Sequence, residues 1–325
     1  MPRVPRVYCF AQILIIASLI GCSLKKRAVD TFVDVLGEAE GVYLSEDDPE
    51  LVGSALPFNL KTIETLLVSS PDNRSLLLSA AKSFSLYAYG FVEPQAWKLS
   101  PVSPVKYDEL EESERIRKRA AKLYRRGYDY GVRGLEVEHP GIGSRLKKNP
   151  EEAARNVELP DVPLAVWTAA ALGGAIGLSK DDPESTADVA VVGALLERAL
   201  LLDEDFEEGA THELLMAYEA SRVGGSRDKA LRHYERALAL GSAKSPSIWL
   251  GWAERVSVSE QNRREFEELV ERSLAFDVEA HPENRLLNLL AQRRARWLKG
   301  NADELFLEGL EGPHGSDGSD GLEGT

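Results

Sequence analysis

Three short stretches of this chain align with one another without gaps, and that repetition narrows the fold more than any other feature. They are Leu196-Glu197-Arg198-Ala199-Leu200, Tyr234-Glu235-Arg236-Ala237-Leu238 and Val270-Glu271-Arg272-Ser273-Leu274. Their small residues Ala199, Ala237 and Ser273 stand 38 and 36 positions apart, close to the roughly 34-residue period of one class of helix–turn–helix repeat. A large apolar residue followed three positions later by a small one lets a second helix lie close against its partner. The Glu and Arg between them fall on the outer face. Helix pairs of this kind cannot bury their apolar stripes alone and must stack. The repeat therefore predicts an all-α array of helix pairs.

Each second helix needs a first. The spacing of apolar residues predicts helices over Asp161–Ile176, Phe206–Arg222 and Ser247–Val258, with Pro163 suited to a first turn. Asp181-Asp182-Pro183, Gly224-Gly225 and Ser245-Pro246 punctuate them. A further helix is expected over Asn284–Lys299 and a short last one over Ala302–Leu310. Upstream, Lys61–Val68 reads as a helix end closed by Pro71-Asp72-Asn73, Leu76–Phe91 as a long helix, and Tyr107–Glu136 as a longer charged one. Val92–Pro104 holds three prolines and is expected to be irregular. His139–Pro160 reads as an insertion that folds over a face or contacts a partner. The Gly/Ser/Asp-rich end from Gly312 to Thr325 reads as disordered.

The first residues are of another kind. Arg3 and Arg6 precede an apolar run from Val7 to Ile20, too short for a comfortable membrane span of roughly 20 residues but suited to a signal peptide. The run ends in Leu19-Ile20-Gly21-Cys22, which is similar to a bacterial lipobox with Cys22 as the acylated residue. The alternatives are an ordinary signal peptide with an accidental cysteine, or an uncleaved anchor. On the lipobox reading Cys9 leaves with the peptide and Cys22 is modified, so the mature chain has neither thiol nor disulfide. Ser23 is not the aspartate that often retains lipoproteins in the inner membrane, so the expectation is a lipid anchor on the periplasmic side of the outer membrane. The resulting division is a signal peptide over 1–21, a tether over 22–54, the helical array over 55–310 and a tail over 311–325.

Charge removes one class of partner. The formal charge of −14 becomes −16 once Arg3 and Arg6 are cleaved away, against the basic face that nucleic acid demands. Catalytic signals are poor. The five histidines, His139, His212, His233, His281 and His314, show no ligand spacing, and no phosphate loop or nucleophile elbow occurs. The chain reads as a non-enzyme without cofactor or metal.

Several stretches, spread in order over roughly residues 55 to 307, resemble the T component associated with bacterial TRAP transporters. They include Leu56-Pro57-Phe58, Tyr87-Ala88-Tyr89-Gly90-Phe91-Val92, Arg119-Ala120-Ala121-Lys122-Leu123-Tyr124, Ala171-Leu172-Gly173, Arg285-Leu286-Leu287-Asn288 and Arg296-Trp297-Leu298. The resemblance implies a lipoprotein of tetratricopeptide-like helices with a central cavity or pore. It also implies self-association into a trimer and a place beside the periplasmic substrate-binding protein of a TRAP system. The alternative is a lipid-anchored helical scaffold for envelope assembly that takes no ligand.

Seven residues are candidates for lining a ligand cavity. Tyr87 and Phe91 share a helix face, Trp97 follows them, and Trp167 and Trp297 carry the same ambiguity between core packing and an apolar pocket. Arg293 and Arg294 continue apolar faces of their helix. Either their stems pack while the heads reach water or a Glu, or one guanidinium waits in a cavity for a carboxylate. An organic acid or an apolar small molecule is the expected ligand.

Overall fold

The computed structural model describes residues 40–99, 107–179, 183–241 and 244–307. Cys22, the signal peptide and the tail lie outside them. The described residues are helical, with no strand among them. The helices are α1 (Glu40–Leu44), α2 (Pro49–Ser69), α3 (Arg74–Tyr87), α4 (Glu93–Trp97), α5 (Tyr107–Glu136), α6 (Ile142–Lys148), α7 (Pro150–Ala154) and α8 (Val162–Gly177). After them come α9 (Pro183–Leu202), α10 (Ala210–Ser221), α11 (Arg227–Leu240), α12 (Ser247–Trp252), α13 (Arg263–Leu274), α14 (Arg285–Gly300) and α15 (Ala302–Leu305).

Local chemistry sets the starts. Asp48, Asn73, Ser226 and Asn262 each turn a side-chain oxygen to a backbone N–H three residues on, capping α2, α3, α11 and α13. The breaker Pro71-Asp72-Asn73 thus ends one helix and caps the next. The repeat register holds in space: Ala199 on α9, Ala237 on α11 and Ser273 on α13 are all 0% exposed.

Two expectations need correction, and a third, the insertion, folds over a face as expected. Val92–Pro104 is not irregular at its start, because a π-helical turn over Ala88–Val92 carries α3 directly into α4. Pro94 lies in the first turn of α4, where its missing N–H costs nothing. The helix expected over Phe206–Arg222 is broken by a left-handed turn at Glu207 (φ 43°), Glu208 (φ 55°) and Gly209 (φ 95°). Two glutamates adopt a backbone that ordinarily wants glycine. The insertion over 139–160 forms α6 and α7, and Ile142, Leu146, Ala153, Ala154 and Val157 join the main core, so its apolar side is turned to the protein.

α8 is the central helix. By length and composition the stretch Leu159–Gly177 could cross a membrane, yet α8 packs against α3, α5 and α9, with Ala165, Ala169, Ala171 and Leu172 fully buried. α2 packs on α3, α3 and α4 on α5, α5 on α8, α8 on α9, the helices from α9 to α14 each on the next, and α14 returns to meet α1 and α2. Leu286 and Leu290 there bury against Val52, Leu56 and Phe91. Gly90 makes the closure possible, since a Cβ at that position would lie 2.7 Å from Leu290 Cδ1. Arg293 to Glu50 (2.7 Å) and Arg285 to the Ser45 carbonyl (3.2 Å) rim the same seam. The array closes into a ring.

Candidate functional site

Where the ring closes, α4, α12 and α14 bring charged and aromatic side chains together. The Arg294 guanidinium lies 3.6 Å from the Trp97 ring and 4.6 Å from that of Trp297, whose centroids are 6.0 Å apart. A cation held between two indoles is attracted by both ring faces. Its Nε donates to Glu254, while its Nη1 is buried without a hydrogen-bond partner. Arg255 approaches Glu254 at 3.7 Å.

The second half of the cluster comes from the other side. Tyr124 on α5 donates to Glu93 Oε2 at 3.1 Å, and Tyr124 has this position because Gly174 opposite it has no side chain. A Cβ on Gly174 would lie 2.6 Å from the Tyr124 ring. Desolvation pushes the Glu93 carboxyl up, opposed by the hydrogen bond from Tyr124 and the charge of Arg294. Tyr89 is 43% exposed, yet desolvation first, then Glu254 and Glu93, push its hydroxyl to about 12.

Both acidic members sit on π-helical turns or next to them. Tyr89 lies within Ala88–Val92 and Glu93 follows it; Glu254 and Arg255 lie within Ala253–Ser257, the turn that continues α12. A π turn inserts a residue and rotates the following side chains, a device frequent at functional sites. Here two such turns aim charges at one place.

The seven sequence candidates separate. Trp97, Arg294 and Trp297 form the cluster. Tyr87 and Phe91 stack on each other at 6.2 Å and pack into the core beside the ring seam. Trp167 belongs to another polar group: its Nε1 donates to Glu207 at 3.4 Å, and Lys82 lies over its ring while bridging Glu207 (3.3 Å) and Glu40 (3.0 Å). Burial pulls the Lys82 ammonium down, but those two carboxylates raise it above its ordinary value. Arg293 points to the rim. Tyr89, Glu93, Tyr124, Glu254 and Arg255 were not legible as site residues.

A separate open cavity of about 390 Å³ lies between α9, α10 and α11. His212 and His233 form part of its wall, with their Nδ1 atoms 2.8 Å apart. Among the described residues no three His, Cys, Asp or Glu side chains are grouped to hold a metal.

Comparison with known proteins matches this chain over most of its length. A family model described as TRAP transporter T-component matches residues 45–306. The chain is also 31% identical over 326 residues to an uncharacterized protein of Treponema pallidum (strain Nichols), covering 93% of this chain and 98% of the relative. With all-helical architecture, ring closure and a match from before α2 to the last helix, the chain belongs to the TRAP transporter T-component family, an accessory family of transporters rather than of enzymes.

Proposed function

We propose that this chain is tethered by lipid at Cys22 on the periplasmic side of the outer membrane, docks a TRAP substrate-binding protein and offers it an organic acid from the Arg294 cluster at the ring seam. The observation that carries the ligand half is the unpartnered, buried Nη1 of Arg294. A guanidinium clamped between Trp97 and Trp297 has already lost its rotamer freedom, and it keeps one donor for a carboxylate. The indoles supply apolar surface for the rest of the molecule. Arg255, beside Glu254, and Tyr89 add polar groups to the same cluster. The docking half, and self-association into a trimer, rest on membership of the family and on the broad surfaces that helical arrays present.

Tryptophan fluorescence titrated with short mono- and dicarboxylates tests the ligand half. A saturable change that disappears in Arg294→Met and survives in Arg293→Met supports it. Sedimentation of the protein alone and with the cognate binding protein tests the rest, with a reversible complex on the order of micromolar expected, because a transfer partner must let go. A strict monomer with no complex and no fluorescence response would favour the scaffold alternative.

A further inference from the structure

The cavity between α9, α10 and α11 lies apart from the Arg294 cluster and is not used by the proposed function. α10 packs against both neighbours and turns His212, Leu215 and Glu219, at i, i+3 and i+7, toward the cavity from one helix face. Glu197 comes from α9, and Lys229, Arg232 and Arg236 come from one face of α11.

Two of these charges are already matched. Arg236 Nε donates to Glu204 at 2.7 Å. Glu219, 4% exposed, accepts from Arg222 Nη2 at 3.0 and 2.9 Å and from the Ser226 N–H at 3.0 Å. The others are not. Lys229 Nζ stops 3.9 Å from Glu219, beyond hydrogen-bond reach. Among the described residues no hydrogen bond or ion pair engages Arg232 or Glu197, which line the same cavity without meeting each other. Arg222, the cation that acts on Glu197 at longer range, is held by Glu219. The histidines do not alter the count, because desolvation lowers both and, with His212 beside it, takes His233 to about 4. With the closed pairs set aside, two cations and one anion remain: Lys229, Arg232 and Glu197.

We propose that this cavity binds an acidic α-amino acid, with its ammonium at Glu197 and its two carboxylates at Arg232 and Lys229. Such a ligand carries one positive and two negative groups on a short chain, the mirror image of the three unmatched charges. The Arg232 fork can take a carboxylate through two parallel hydrogen bonds. Leu215 offers apolar surface to the methylenes between the charged ends. The volume of about 390 Å³ is near the small end of ligand pockets, which run from about 300 to 1,000 Å³, so it suits a single small molecule. A plain anion fits less well, since it would leave Glu197 unmatched and repelling it. The positive surplus is local, in a chain whose formal charge is −14, and it draws anions to this place.

The test is titration of the full chain, carrying labelled histidine, with L-glutamate. The ring signals of His212 and His233 report on this cavity by NMR, and calorimetry gives the affinity. Glutarate, the same chain without the ammonium, and inorganic phosphate are titrated in parallel. Glutamate should shift both rings saturably with a submillimolar dissociation constant, and glutarate and phosphate should bind at least about 10-fold more weakly. Arg232→Gln should weaken glutamate about 10-fold. Glu197→Gln should weaken glutamate by a similar factor while glutarate binds as well as before or better, an inversion that a merely structural role would not produce. Both side chains are exposed, and circular dichroism checks that the variants are folded. Neither variant touches Trp97, Arg294 or Trp297, so the fluorescence response assigned to that cluster is read independently. No shift at millimolar glutamate, glutarate or phosphate binding as tightly as glutamate, or an unchanged preference in folded Glu197→Gln would overturn the proposal.

Discussion

Removing the charge of Arg294 is the most informative single perturbation. Its side chain is 18% exposed and that of Glu254 21%, so the pair is mostly shielded from water. Truncating one partner of a fully buried ion pair costs about 3–5 kcal/mol, most of it from the charge left behind. Two features lower that figure here: residual solvent contact, and Arg255 at 3.7 Å from Glu254. The expected cost of Arg294→Met is therefore about 2–3 kcal/mol, part of it the attraction to the two indoles, about 0.5–2 kcal/mol. In Arg294→Met/Glu254→Gln no charge is stranded, and only the indole attraction and polar contacts go. The double variant should lose about 1 kcal/mol, less than Arg294→Met alone. Urea denaturation of parent, both single variants and the double variant measures this, and a loss of 2–3 kcal/mol corresponds to a Tm lower by about 5–10 °C. If Arg294→Met unfolds within about 0.5 kcal/mol of the parent, the guanidinium is not held by the cluster and the preorganised site fails with it.

Overpacking at the repeat positions is the second test: Ala199→Trp and Ala237→Trp, each at a residue with no exposed surface, should each destabilise by more than about 2 kcal/mol, and parent-like melting of both would refute the register. Cys22→Ser should release the protein from membranes without changing its melting temperature, which fractionation and calorimetry test, and a variant still integral to membranes would refute the lipobox. Acid should weaken the α10–α11 hairpin. Burial first, then His212, lowers His233 from 6.5 to about 4, so the folded state disfavours the charged ring. That stability is complete above pH 6.5 and is lost as the pH falls through 4. Discounted for partial exposure, it amounts to about 1–2 kcal/mol, and His233→Gln should flatten the Tm–pH curve across this window.

What the sequence disclosed follows from which physical signals are periodic. Helix existence, the small-residue register and the charged stripe of α5 all repeat at the helical period, and the structure has them where that period puts them. Arg294 and Trp297 were legible for the same reason, being three residues apart on α14. Glu93, Glu254 and Arg255 were not, because each is aimed by a π turn, and an i→i+5 step shifts the phase that a 3.6-residue reading assumes. The meeting of Leu290 with Gly90 joins two ends of the chain through ring closure, which no local pattern encodes.

The histidine pair is a different failure. Spacing of 21 residues matches no metal motif along one helix, so His212 and His233 read as unrelated. Yet their mean position, 222.5, falls on the Arg222–Ser226 turn between α10 and α11. Residues equidistant from a tight turn between antiparallel helices come level with each other. The breaker Gly224-Gly225 was visible, and so were both histidines, but they lie 12 residues before it and 8 after it, so the breaker alone does not bring them level.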